Sequence, residues 1–186
     1  MINNIDINEV ESALKKIKSG LEKYIAIIDR LHKVNVKEDK EFQKLYNGFY
    51  RLRQRKPEFY EMYYEYLENN KNNEVSFEEV IKYIYEKTGR VEASFSSKLV
   101  ANINTNKPIW DSVVLGNLKI DKPKQYKKSD IRIKESIESY KLLEKKYNEI
   151  LSSDNAKLVI DLFDNVYKDT GISDIKKIDF ILWQIR

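Results

Sequence analysis

Two side chains have the type and spacing to do covalent chemistry, an aspartate behind a proline corner and a lysine one helix earlier. Asp111 ends the run Asn102-Ile103-Asn104-Thr105-Asn106-Lys107-Pro108-Ile109-Trp110-Asp111. This run cannot continue a helix, because Pro108 biases Lys107 toward extended geometry and the asparagine side chains compete for backbone hydrogen bonds. Ile109 and Trp110 are expected to be buried, with Val113, Val114, Leu115 and Leu118 following on a helix that Asp111 opens. As a cap, Asp111 accepts from the amide of Val113 or Val114, worth about 1 kcal/mol. As a catalytic or ligand-contacting group, its carboxylate faces a cleft. Lys98, in Ser96-Ser97-Lys98, is polar on a helix that also carries Phe95 and Leu99, and points either into that cleft or to solvent. Glu92 is the other nearby acid, at a first-turn position that the helix dipole favours. With Glu92 and Asp111 alone, acids are too few for a divalent metal centre.

The elements that must position these groups lie between Ser76 and Leu118. Ser76 with Glu79 has the capping-box spacing, and Val80, Ile81, Ile84 and Tyr85 follow at helical intervals. Gly89 stops that helix, since a residue without Cβ takes a left-handed cap cheaply. Lys87-Thr88-Gly89-Arg90 is the turn, and Val91, Phe95, Leu99 and Ile103 form the next apolar stripe.

This stretch resembles the helix-hairpin-helix and following loop of the DNA glycosylase superfamily that includes the 8-oxoguanine and 3-methyladenine glycosylases. In that family a glycine-containing hairpin precedes a helix, a turn and an aspartate roughly twenty residues on; here Gly89 and Asp111 are 22 positions apart. Thr88-Gly89-Arg90 carries one glycine where the family usually has two. Where lysine-using members place a nucleophile just after the hairpin, this chain has Val91-Glu92-Ala93, and Lys98 comes one to two turns later. The resemblance implies that Asp111 is the catalytic carboxylate, stabilising an oxocarbenium-like sugar cation or activating water, with Lys98 beside it. It also implies that backbone amides near Gly89 to Val91, Arg90 included, grip a DNA phosphate.

Two cationic clusters and one aromatic helix would complete a nucleic-acid site. Tyr50 to Lys56 reads as the end of a second helix and carries Arg51, Arg53, Arg55 and Lys56. Lys119 to Lys128 is a basic linker with Lys124, Lys127 and Lys128. From Lys119 to Tyr147 there are ten Lys or Arg against five Asp or Glu, so the local charge is +5 in a chain of net +4. Both clusters could meet phosphates; both could equally be solvated helix-end cations. In Phe59-Tyr60-Glu61-Met62-Tyr63-Tyr64-Glu65-Tyr66-Leu67, aromatic residues cover more than a core stripe needs. Tyr60, Tyr63 and Tyr64, together with Trp110, are candidates to stack on an extruded base, or else to build a core or a protein interface.

Composition sets the frame. Few Gly (5) and Pro (3) among 186 residues, with 34% charged residues, indicate an all-α protein. The apolar stripes predict helices over residues 5 to 33, from Phe42, after Pro57, from Ser129 to about Leu151 with Ser129 as cap, from Asp154 as cap, and after Ser173. Gly20 weakens the first by up to about 1 kcal/mol and marks a candidate bend. One helical domain over 1–186 is expected, divisible into 1–118 and 129–186 at the basic linker. The absence of cysteine excludes disulfides, thiolate zinc and iron–sulfur clusters; the one histidine, His32, reads as a surface residue near a helix end. No metal or cofactor is expected. Neither export nor membrane spanning is indicated, so a cytoplasmic location is expected. The functional expectation is a DNA-binding protein of the glycosylase type, acting in DNA repair; the alternative is a non-enzymatic helical module that docks a protein partner through the tyrosine-rich helix 59–67 and the basic linker.

Overall fold

The computed structural model describes residues 6–185; residue 5, where the first helix was expected to begin, lies outside them. The described residues contain nine helices and no strand. In chain order they are α1 (Ile7–Leu31), α2 (Lys40–Tyr50), α3 (Pro57–Asn70), α4 (Phe77–Thr88), α5 (Ala93–Ile103), α6 (Ser112–Asn117), α7 (Ser129–Leu151), α8 (Asp154–Val166) and α9 (Asp174–Gln184). The protein is all-α.

Helix α1 is the longest and buries its stripe, Val10 through Leu31, against α9, α2 and α8. It runs unbroken through Gly20, which lies against Phe180 of α9. The buried positions in its second half are Leu21, Tyr24, Ile27 and Leu31, with Ile25 and Ile28 only partly covered. Helices α4 and α5 pack on each other, α4 also meets α7, and α9 touches α6 and α8 as well as α1. Elements on both sides of the 119–128 linker thus interlock in one buried apolar cluster.

The caps follow local chemistry. Ser76 and Glu79 close the expected capping box, and Gly89 ends α4 at φ 67°, the left-handed region. Helix α2 stops at Tyr50, earlier than its sequence suggests: Arg51 is left-handed at φ 54°, and Leu52 N–H reaches back to Asn47 O at 3.0 Å. That bond belongs to a Schellman-type ending, and it brings Leu52 into the core. Residues 51–56 are therefore a loop, with Gln54 also at positive φ. Ser129 is the first residue of α7, where Lys128 holds the cap position with no side-chain bond. Ser153, one residue before Asp154, caps α8, and Ser173 caps α9 as expected.

Candidate functional site

A cavity of about 350 Å³ opens where α5, the corner before α6, the α2–α3 loop and α9 converge. Its size lies at the lower end of small-molecule pockets. Lys98 and Asp111 both line it.

Local chemistry joins those two. Ser97, fully buried on α5, accepts from Trp110 N–H at 2.9 Å and donates to Ser94 O, so the corner is tied to the helix that bears Lys98. Tyr140 of α7 donates to Pro108 O at 2.9 Å, and Trp110 stacks on Phe77, which stacks on Tyr140. Asp111 then begins α6, its Oδ1 accepting from Val113 N–H at 2.8 Å. Capping and facing the cavity are thus compatible roles for this residue.

The Lys98 amine donates to Ser94 Oγ at 3.0 Å and lies 4.9 Å from the Phe95 ring centroid. Burial lowers its pKa from 10.5 to about 8; Asp111 and Glu92 oppose that shift, and the Arg51 guanidinium reinforces it. Desolvation penalises the ammonium form, and a nearby cation penalises it further. A substantial share of the side chain is then a free amine at mildly alkaline pH, the form in which lysine is a nucleophile.

Cations frame the cavity. Arg51 lines it and sits 5.9 Å over the Trp183 ring. Arg55 also lines it, stacked on Phe95 at 4.9 Å and held by both carboxylate oxygens of Glu92 at 3.0 and 3.2 Å. Glu92 also accepts from Arg90 Nε at 3.0 Å. Arg53 and Lys56 are exposed on the same loop but do not line the cavity. In the basic linker Lys124 and Lys128 are exposed, and Lys127 pairs with Glu135.

Burial and bonding bear on two of the readings above. Tyr63, Tyr64 and Trp110 are core residues outside the cavity wall, and Tyr60 is half-buried with its hydroxyl on Leu52 O. The Tyr63 hydroxyl donates to Phe95 O and the Tyr64 hydroxyl to Asn47 Oδ1, so these rings hold α3 against α2 and α5. The surface that helix could offer a docking partner shrinks accordingly. In the hairpin, Gly89 N–H bonds Tyr85 O and Arg90 N–H bonds Thr88 Oγ1, so two of the three amides from Gly89 to Val91 are engaged internally. Among the described residues no cluster of acids or histidine has the makings of a metal site.

Sequence reasoning missed the part that α9 and Tyr24 play in the cavity. The cavity's aromatic wall is Phe49, Tyr50, Phe95, Phe180 and Trp183, and its inner polar groups are Tyr24, Lys176 and Asp179. Read as an apolar docked helix, α9 in fact turns Lys176 and Asp179 inward, each under a tenth exposed. The available signal was a lysine and an aspartate three positions apart on a helix that carries Ile175, Ile178, Phe180, Ile181 and Leu182, with a tryptophan one turn beyond. No family model, no curated protein and no solved structure matches the chain.

Proposed function

We propose that the chain is a DNA-binding protein of the helix-hairpin-helix glycosylase type that removes a modified base, with Lys98 and Asp111 at the reacting centre. One observation carries the reading: a lysine amine lowered to about 8 and a carboxylate share an aromatic-lined cavity. A base extruded from a strand would lie against those rings. The free amine of Lys98 attacks the anomeric carbon of the sugar, and the base leaves with the electron pair of the glycosidic bond, taking up a proton. The amine loses its own proton to water, and the Asp111 carboxylate stabilises the positive charge gathering on the sugar. Opening of the sugar ring at its C1′–O bond then yields a Schiff base with Lys98. With the Gly89 and Arg90 amides internally bonded, the strand is held by side-chain cations, Arg51 and Arg55 at the cavity and Arg53 and Lys56 beside them.

The test is incubation of the protein with duplex oligonucleotides carrying modified bases, followed by borohydride trapping. Wild type should release the base and form a covalent adduct, and Lys98→Met should form none. Asp111→Asn keeps a good helix cap, and should lose at least about 100-fold in rate without loss of fold. No DNA binding at low salt, or an adduct that survives Lys98→Met, would reject the proposal.

A further inference from the structure

The cavity holds a group of polar side chains that the reaction above does not use. Lys176 is 2% exposed and Asp179 8%, on a helix that also buries Ile175, Ile178, Phe180, Ile181 and Leu182. Lys176 Nζ donates to Asp179 Oδ2 at 2.8 Å, and the Tyr147 hydroxyl donates to Asp179 Oδ1. Lys176 also lies 5.7 Å over the ring of Tyr24. Tyr24 is 2% exposed and lines the same cavity, yet its hydroxyl bonds no described residue. Buried hydroxyls nearly always have a partner, and one without is a standing penalty on the fold. A buried ion pair likewise tends to stabilise no better than apolar residues of the same volume. Two such features in one cavity suit a ligand, not the fold.

We propose that Tyr24, Lys176 and Asp179 read the polar edge of the ligand, and that the ligand is a neutral planar heterocycle presenting a hydrogen-bond acceptor beside an N–H donor. The inference rests on the cavity being the base site proposed above. Lysine can only donate and an ionised aspartate can only accept, so the ring must offer an acceptor to Lys176 and a donor to Asp179. The Tyr24 hydroxyl bonds either group; burial first and Asp179 second raise its pKa, so it stays protonated. A phosphate or carboxylate at this end would meet the Asp179 charge. The aromatic rings of Phe180 and Phe49, 5.8 and 6.1 Å from Tyr24, supply apolar contact for a flat ligand. Lactam edges and amidine edges share this pattern.

The experiment is calorimetric titration of the full chain with 9-methylhypoxanthine (lactam edge), 9-methyladenine (amidine edge) and 9-methylpurine, which lacks the donor. Wild type should bind at least one of the first two about tenfold or more tightly than the third, since a site built on paired polar groups rejects a ligand that leaves them unpaired. Tyr24→Phe should keep or raise the melting temperature, weaken the preferred ligand about fivefold or more, and leave 9-methylpurine unchanged. Equal binding of all three, no binding at all, or a preference untouched by Tyr24→Phe would overturn the inference. Because no DNA is present, ligand preference without base release would reject the catalytic reading alone. Base release at equal rates by wild type and Tyr24→Phe, with no ligand preference, would reject this inference alone.

Discussion

Lys98 is where stability and reactivity pull against each other. Its pKa falls from 10.5 to about 8 on folding. Between those values the unfolded chain binds more protons than the folded one, so stability rises with pH across that window. Below about pH 8 the full penalty of burying the ammonium is present. Lys98→Met should therefore raise stability at pH 7 by about 1–3 kcal/mol, part of the shift's worth being offset by the lost bond to Ser94. The gain should fade between pH 8 and 10.5, as denaturant melts at pH 7 and pH 10.5 would reveal; a gain independent of pH would mean that the amine is not desolvated. For the proposed reaction, the rate should climb through an acid limb near pH 8. The sequence placed Asp111 at its corner, because Pro108 and the capping position restrict it, and left Lys98 open between cleft and solvent; the structure has both lining one cavity. Tyr24 was not, because it falls on the apolar stripe of α1 and a tyrosine there reads as filler.

At the level of elements, the ends of two helices make opposite predictions. Gly89 is left-handed and a Cβ there would touch nothing within 4 Å, so Gly89→Ala should destabilise by about 1–2 kcal/mol through backbone strain alone. Arg51 holds the same conformation with a side chain attached, and Arg51→Gly should stabilise by up to about 1 kcal/mol while weakening whatever the cavity holds. Paired thermal melts decide both, and a loss of stability in Arg51→Gly would mean that the Trp183 contact outweighs the strain. The first was readable because glycine announces the left-handed cap; the second was not, because an arginine-rich stretch reads as continuing helix. In α9, Asp179→Ala strands Lys176 in the interior and should destabilise by about 3–5 kcal/mol. Helix periodicity told where α9 lies and nothing about its inward charges, since a lysine or aspartate is ordinarily assigned to solvent.

For the whole molecule, the fold class follows from the scarcity of glycine and proline, but which helices meet at the cavity depends on packing between α1, α2, α5 and α9, which no local pattern encodes. If Arg51, Arg53, Arg55 and Lys56 supply the phosphate contacts, the logarithm of DNA affinity should fall with the logarithm of salt at a slope no steeper than about −4. A steeper slope in a fluorescence titration would assign binding to other cations. The last turn of α9 is moored by Asn117, whose side-chain amide donates to Leu182 O at 2.9 Å and to Ile185 O at 2.8 Å. Trp183, one wall of the cavity, hangs between those two anchor points. Releasing those two carbonyls, as Asn117→Ala would, should therefore slacken the wall that any bound ring must touch.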